Sequence, residues 1–340
     1  MSDETERRLT IDDVAKVAGV SRSTVSLVLR NSGLVAERTK IAVREAAERL
    51  GYVYNRTAAI RARHSYLVGI IIPDLTNPFY SELTAGVDQV LNDSGWISLL
   101  GNSWESSASQ EKILRRMHEQ NVDAVIICPV TAADQSAAEN LARSGLRVLQ
   151  VLRRTEADTS YLGIDYAHGV ALAVDHLSEL GHTDIVLLGG ERVYSAATER
   201  YEGYISSMRS HGLEPRHVPC ALRRSAAAEK VRELFDKEER RPTALVCFND
   251  VVAIGAMASL ERMGLKVGRD VSVVGFDNVA DAEFVQPPLT TIDTHARQLG
   301  ERAATLVLDS IRNGSPMSAT TIMETSLVVR DSTGKAPLRS

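Results

Sequence analysis

Residues 10–54, TIDDVAKVAGVSRSTVSLVLRNSGLVAERTKIAVREAAERLGYVY, predict three short helices, the first two joined as a helix-turn-helix. Thr10 followed by Asp13 is a capping-box start, in which a hydroxyl residue and an acid three positions later satisfy each other's backbone groups. Ile11, Val14, Ala15 and Ala18 then fall on one helical face, and Gly19 ends the helix. Ser21 is suited to cap the second helix, and Val20 with Val25 occupy the positions of a hydrophobic staple that fixes the turn angle. The inward residues of that helix are Val25, Val28 and Leu29, leaving Arg22, Ser23, Ser26, Leu27 and Arg30 outward. A donor-rich first turn of this kind suits the base edges of a DNA major groove. After turn chemistry at Asn31, Ser32 and Gly33, residues 37–50 have the apolar spacing of a third helix through Ile41, Ala46, Ala47 and Leu50. Ala36 stands where a capping serine would serve that helix better.

The whole chain, 340 residues at 44% hydrophobic and 24% charged, has the composition of a soluble globular protein with room for two or three domains, which excludes a disordered chain. No apolar run approaches the roughly 18 residues of a membrane span, and the opening MSDETERR is no secretory signal, so a cytoplasmic protein with no membrane partner is expected. Cys128, Cys220 and Cys247 are widely spaced, without a CxxC pair, and read as reduced core thiols. His64, His168, His176, His182 and His295 do not cluster with cysteines or acids at ligand spacing, so neither a metal nor a cofactor is expected. A nucleophile elbow and a P-loop are both missing, and Gly189-Gly190 is only a fragment of a phosphate turn, so the chain does not read as an enzyme. Charge is divided unevenly. Residues 1–65 hold 12 Lys and Arg against 8 Asp and Glu, whereas the remainder holds 27 against 36, which fits a DNA-binding head on an acidic body.

Beyond the head, residues 55–65, NRTAAIRARHS, are basic, with Ile60 the only large apolar side chain. Such a segment cannot bury a face, and reads as a linker that folds when phosphates neutralise Arg56, Arg61 and Arg63. From Tyr66 the texture becomes alternating. Apolar runs at 67–72, 97–100, 124–127, 148–152, 185–188, 245–248 and 271–276 predict buried strands. Amphipathic helices are expected between them at 79–93, 109–120, 135–144, 170–180, 198–211, 226–235 and 251–263, and a final helix at 296–312 precedes two short strands near Thr321 and Ser326. This alternation predicts doubly wound parallel sheets, in number enough for two.

Nine motifs follow one another in order: DVAKVAGVSRSTVSLVLRN, ERLGYVYNRTAA, GIIIPDLTNPFYSEL, DAVIICP, GHTDIVLLGG, RYEGY, FNDVVAIGAM, DVSVVGFDN and PPLTTID. Through them the chain resembles, over nearly its whole length, the lactose/galactose repressor (LacI/GalR) family of bacterial transcription regulators. The resemblance implies an α/β protein with a helix-turn-helix head (1–54), a hinge (55–65) and a body (66–340) like a periplasmic sugar-binding protein. The body's lobe one would hold about 66–162 and 294–322, and its lobe two about 163–293 and 323–340, with crossovers near Gly163, Asp293 and Met323. It also implies a homodimer on palindromic operator DNA, controlled by a small effector, a sugar or sugar derivative, bound between the lobes. Other readings are a regulator that answers a protein partner or a non-sugar metabolite, a sugar-binding module without a regulatory head, and a nucleotide-dependent enzyme.

Carried onto this sequence, the family pattern assigns base reading to Arg22 and Ser23, with Ser21, Thr24 and Ser26 suited to phosphate or edge contacts. Arg30 and the hinge residues Asn55 and Arg56 complete the DNA-facing set, and Ile60 is the candidate for insertion between base pairs in the minor groove. For the effector the pattern assigns Phe79, Arg153, Arg200, Asn249 and Asp277, with Asn77 and Thr131 as weaker candidates. Arginine donates a rigid fork, aspartate accepts from two hydroxyls, asparagine does both, and Phe79 could stack on an apolar sugar face. Two departures stand out. Leu152 replaces the acid that often precedes the equivalent of Arg153, and Leu27 replaces an arginine that in many relatives reads guanine. Leucine offers only an apolar contact, such as to a thymine methyl. Because a good bidentate contact discriminates by about 1–3 kcal/mol, Leu27→Arg is expected to change the consensus recovered by selection from random DNA, and an unchanged consensus would remove Leu27 from the reading surface.

Overall fold

The run Leu67–Ile72, LVGIII, is buried at five of its six positions, as a strand enclosed by helices on both faces must be. The computed structural model to which it belongs describes residues 10–29, 34–50, 64–130, 146–155, 159–237, 241–314, 317 and 320–338. The chain divides into two compact units, Met1–Ser65 and Tyr66–Ser340. The expected roles of Arg30, Asn55, Arg56, Ile60, Arg61, Arg63 and Thr131, and the helix expected at 135–144, lie outside the described residues.

In the first unit, α1 (Ile11–Ala18), α2 (Arg22–Leu29) and α3 (Glu37–Leu50) enclose a small core. Asp13 accepts from both the backbone N–H (2.8 Å) and the hydroxyl (2.7 Å) of Thr10, which closes the N-terminus of α1. Gly19 ends that helix at φ 68°, a left-handed position that an L side chain would strain. Val14, Val25, Val28 and Val43 fill the centre, with Val20 packed at its edge. Ile41, expected on the inner face of α3, is instead 50% exposed, and Val43 is fully buried. Val43, Ala46, Ala47 and Leu50 follow the i, i+3, i+4, i+7 pattern of one stripe, and Ile41 lies roughly 200° around the helix from Val43. Its neighbours on that side of α3, Arg38, Arg44, Glu45 and Glu48, are all charged and exposed.

In the second unit the described strands form two six-stranded sheets. Sheet one holds β1 (Leu67–Ile72), β2 (Ile97–Asn102), β3 (Ala124–Ile127), β4 (Arg147–Val151), β5 (Ser160–Ile164) and β11 (Thr320–Met323), in the order β11-β5-β4-β3-β1-β2, all parallel. Sheet two holds β6 (Ile185–Leu188), β7 (Arg216–Val218), β8 (Ala244–Cys247), β9 (Ser272–Asp277), β10 (Thr290–Asp293) and β12 (Ser326–Val328), in the order β12-β10-β9-β8-β6-β7, and only β12 runs antiparallel to its neighbour. The chain passes from sheet one to sheet two after Ile164, returns after Asp293, and crosses again between Met323 and Ser326. Three strands fall outside those expected from the sequence: β5 is interrupted by Gly163, β7 is the half-buried edge segment RHV, and β10 is TTID. The Thr290 hydroxyl in β10 compensates its burial by bonding the Arg330 carbonyl at 3.0 Å.

Helices flank the sheets: α4 (Pro78–Asp93), α5 (Ser107–Glu119) and α11 (Ala296–Asn313) serve sheet one, and α6 (Tyr166–Glu179), α7 (Ser195–Ser210), α8 (Arg224–Lys237), α9 (Asp250–Arg262) and the short α10 (Asp281–Phe284) serve sheet two. Helix α11 follows the last parallel strand of sheet two and returns to sheet one to pack on α4. That crossing is backbone-close, since a Cβ on Gly86 would run into the Arg297 carbonyl and one on Gly300 into the Leu83 carbonyl. Backbone cannot yield as a flexible side chain can. Gly300→Ala is therefore expected to destabilise the body by about 1–3 kcal/mol, the usual cost of overpacking, and thermal melts of the two proteins should differ accordingly. Coincident melts would place slack in this crossing.

Candidate functional site

Open parallel sheets bind ligands beyond the carboxyl ends of their strands, where the strand order reverses. Here both sheets aim those ends at one cleft. Sheet one contributes the segments after β1 (Asp74, Asn77, Phe79, Tyr80), β2 (Glu105) and β4 (Leu152, Arg153), and sheet two contributes Tyr194 and Arg200 after β6, Phe248 and Asn249 after β8, and Asp277 at the end of β9. All five residues assigned to the effector line this cavity, as does Asn77. Tyr80, Glu105, Tyr166, Tyr194 and Phe248 join them and were not singled out from sequence. For Tyr80 and Phe248 a signal existed, since each adjoins a residue already chosen. Glu105 lies in none of the nine motifs and had none.

Arg200 is the centre of the lobe-two wall. It sits on the second turn of α7, 6% exposed, with its guanidinium carbon 4.1 Å from the Tyr166 ring centre and 4.4 Å from those of Phe248 and Phe276. Its polar contacts are sparse: Nη1 donates to the Ala196 carbonyl at 3.4 Å, Nη2 lies 3.8 Å from Asp277 Oδ1, and the buried Nε has no partner. A buried guanidinium with most of its donors unused is costly unless a further acceptor arrives. Gly190, at φ 69°, lets the Phe248 ring approach, because a Cβ there would strike it. Gly189-Gly190 thus shapes an aromatic wall.

On the opposite wall Arg153, 4% exposed, lies against the Tyr194 ring at 3.6 Å. The carboxylate of Glu105 accepts from both its Nη atoms at 2.8 Å, and the Pro129 carbonyl accepts from Nη1 at 3.4 Å. Leu152 supplies no carboxylate to this wall, and the one beside Arg153 comes from Glu105. Leu152 itself, at φ 64°, offers its backbone carbonyl to the hydroxyls of Tyr166 (3.0 Å) and Tyr161 (3.3 Å). Burial raises the phenols of Tyr80, Tyr166 and Tyr194 and pushes the Cys128 thiol up to about 11, so these groups are neutral donors near pH 7. Phe79 is 5% exposed, meets Tyr80 edge to face at 5.3 Å, and belongs both to the core and to the cleft lining.

Asn249 caps α9 by accepting from the Val252 N–H at 3.0 Å while lining the cavity. Its neighbour Asp250 is fully buried and accepts from the Thr291 hydroxyl at 2.5 Å and the Val279 N–H at 2.8 Å. Gly275 leaves room for that carboxyl, which holds the turn carrying Asp277 (φ 116°) and Asn278 (φ 56°). Burial also drives Asp277 well above the ordinary carboxyl range, with Arg200 opposing and Asp250 reinforcing the rise. For Asp250, burial outweighs its hydrogen bonds and pushes the pKa up to about 7. A folded pKa above the unfolded value of about 3.9 adds stability that is complete below that value and lost as pH rises through the folded one. Asp250→Asn removes this dependence, so the variant should gain on the wild type as pH is raised from about 5 to about 8 in thermal melts, whereas a constant difference would show that Asp250 keeps its charge throughout.

In the head, Ser21, Arg22 and Ser23 are exposed, and Thr24, Ser26 and Leu27 are half-buried. Ser21 caps α2, its oxygen accepting from the Thr24 N–H at 3.2 Å, and also meets the hydroxyls of Ser23 and Thr24 at 2.8 Å each. Arg22 is 71% exposed and stands 3.7 Å from Asp12, a loose surface pair that a phosphate or base edge could replace. Among the described residues, no group of three or more His, Cys, Asp or Glu side chains could hold a metal ion, and no helix is long and apolar enough to cross a membrane.

Comparison with known proteins bears on both units. Residues 10–55 match the model of bacterial regulatory proteins of the lacI family, and residues 174–333 match that of a periplasmic binding protein-like domain. The HTH-type transcriptional repressor PurR of Vibrio parahaemolyticus is 31% identical, over 96% of this chain and 99% of its own. The lac repressor dimer bound to operator and the anti-inducer ONPF superposes with a TM-score of 0.86 at 27% identity, covering 96% of this chain and 100% of that one. The transcriptional regulator CelR in complex with cellobiose superposes at 0.73 with 28% identity, again over 96% and 100%. With a head and a two-lobed body both matched over nearly their full length, the chain belongs to the LacI family of bacterial transcription regulators.

Proposed function

We propose that this regulator acts as a homodimer whose two heads, through Arg22, Ser23 and their neighbours on α2, read the half-sites of a palindromic operator, and that a small effector in the cleft sets its affinity for that DNA. The observation that carries the effector half is convergence. Phe79, Arg153, Arg200, Asn249 and Asp277 come from five separate segments and meet at one cavity, where Arg200 retains an unpartnered Nε. Support for a sugar or sugar derivative comes from the mixture of donors, acceptors and rings, and from the cellobiose held by one structural relative. The effector acts by differential affinity: it favours whichever arrangement of the lobes it binds better, and operator affinity follows.

A second reading, in which the regulator answers a protein partner or a non-sugar metabolite, draws on the size of the cleft. Its cavity is about 50 Å3, well below the roughly 300 Å3 of an ordinary small-molecule pocket. Selection of operator sequences from random DNA by the full chain, with and without a panel of sugars, tests both halves. A palindromic consensus whose recovery changes with one sugar is the expected result. Arg200→Ala should lower affinity for that sugar about tenfold to a hundredfold by calorimetry, the cost of losing hydrogen bonds from a charged donor. Absence of heat from every sugar would favour the second reading, and absence of any selected sequence would overturn the DNA-binding role.

A further inference from the structure

The two guanidinium groups of the cleft are supplied with negative charge in different ways. Arg200 faces Asp277 at 3.8 Å, beyond hydrogen-bond distance, and burial favours the neutral form of that acid. Arg153 is satisfied bidentately, at 2.8 Å twice, by Glu105. The partners differ in how firmly they are held: the Arg153 side chain is 5% exposed and that of Glu105 is 44% exposed. Glu105 belongs to no strand or helix. It and Trp104 are consecutive left-handed residues (φ 52° and 55°) in the short segment between β2 and α5, and Trp104 is 65% exposed. A carboxylate on a strained, open segment thus reaches inward to occupy a fork that is fixed in the wall of the cleft.

Resting on the reading of this cleft as an effector site, we propose that the effector is an acid, carrying a carboxylate or a phosphate that takes the place of the Glu105 carboxylate on Arg153. The bidentate geometry is the one in which guanidinium recognises either group. The Pro129 carbonyl and the Tyr194 ring hold Arg153 in place from two other sides. Glu105, whose side chain is 44% exposed, can leave toward solvent, which enlarges a cavity it now lines and changes the surroundings of its neighbour Trp104. The neutral phenols of Tyr80, Tyr166 and Tyr194 add no negative charge to oppose an incoming anion, and the unused Nε of Arg200 offers a second donor to the same molecule. A neutral sugar would leave the Arg153–Glu105 pair intact and would have to fit beside it.

The two alternatives give Glu105 opposite signs. If it competes with the effector, Glu105→Gln strengthens binding; if it accepts hydroxyls from a neutral sugar, the same change weakens it. Calorimetry on the full chain with glucose, glucose 6-phosphate and glucuronate, and with ribose, ribose 5-phosphate and ribonate, separates them. The expected result is that an acidic member of one set binds about tenfold or more tighter than its neutral parent, and that Glu105→Gln raises the affinity for it several-fold further. In Trp96→Phe, which leaves Trp104 as the sole tryptophan, the same acid should shift the emission of Trp104. A neutral parent that binds as well as its acids, or weaker binding of the acid by Glu105→Gln, overturns the proposal while leaving the effector site standing. Absence of heat from all six compounds in wild type and variant alike overturns the acidic effector together with the sugar reading beneath it.

Discussion

The guanidinium of Arg200, enclosed by three aromatic rings and short of acceptors, is the constraint around which the lobe-two side of the body is arranged. Its rings come from Tyr166 at the start of α6, Phe248 just beyond β8, and Phe276 within β9, so one cation fixes the relative placement of three segments distant in sequence. Glycines are fitted to those rings. A Cβ on Gly169 would meet Phe276, and one on Gly190 would meet Phe248. Ring faces attract a cation but do not replace hydrogen bonds, and a charge without them is expensive to bury. The large core around both sheets tolerates that expense, and what it secures is a donor fork already oriented before any ligand arrives.

A similar logic operates one residue position away from the ligand surface. Asp250 is not part of the cleft lining, yet it bonds the Val279 N–H and the Thr291 hydroxyl, and so holds the strained turn on which Asp277 stands. Burial raises the pKa of both Asp250 and Asp277, and the charge of Asp250 raises that of Asp277 further, so a neutral form of Asp277 is the less costly state. The protonation of Asp277 is therefore set first by its burial, and then by Arg200 and Asp250 acting in opposite directions.

Much of this architecture was legible in the sequence because it follows from local rules. Capping at Thr10 and Ser21, the left-handed Gly19, and the apolar runs of β1, β3 and β6 are each decided within a few residues. The failures have the opposite character. Ile41 was read inward because it is large and apolar, but the stripe of α3 is set by Val43, Ala46 and Ala47. Strand β10 opens with two threonines, and the burial of Thr290 depends on Arg330, some forty positions away, which no window on the sequence contains. Glu105 was invisible for the same reason: its role arises from Arg153, 48 residues on, brought near by the parallel order of β2, β1, β3 and β4. Ends of strands could be read as a binding surface from the fold alone, whereas the pairing across that surface required the geometry.

That pairing also bears on how the lobes respond to a ligand. Several contacts join them: the Tyr166 hydroxyl donates to the Leu152 carbonyl at 3.0 Å, the Arg154 N–H donates to the Ser195 hydroxyl at 2.9 Å, Arg154 pairs with Glu199 at 3.0 Å, and Arg153 lies on Tyr194. Each links a residue following β4 to one on the lobe-two side. The exposed Arg154–Glu199 pair is worth little by itself, about 0–1 kcal/mol, but the hydrogen bond to Leu152 is buried and the stacked guanidinium is dry. A ligand that enters by breaking none of these contacts gains only what it adds, and favours the joined arrangement. One that moves Arg153 or Leu152 must recover what it breaks, and shifts the balance by the difference. The direction of the response is thus governed less by how many groups the effector touches than by whether its binding keeps the β4 segment against Tyr166, Tyr194 and Ser195.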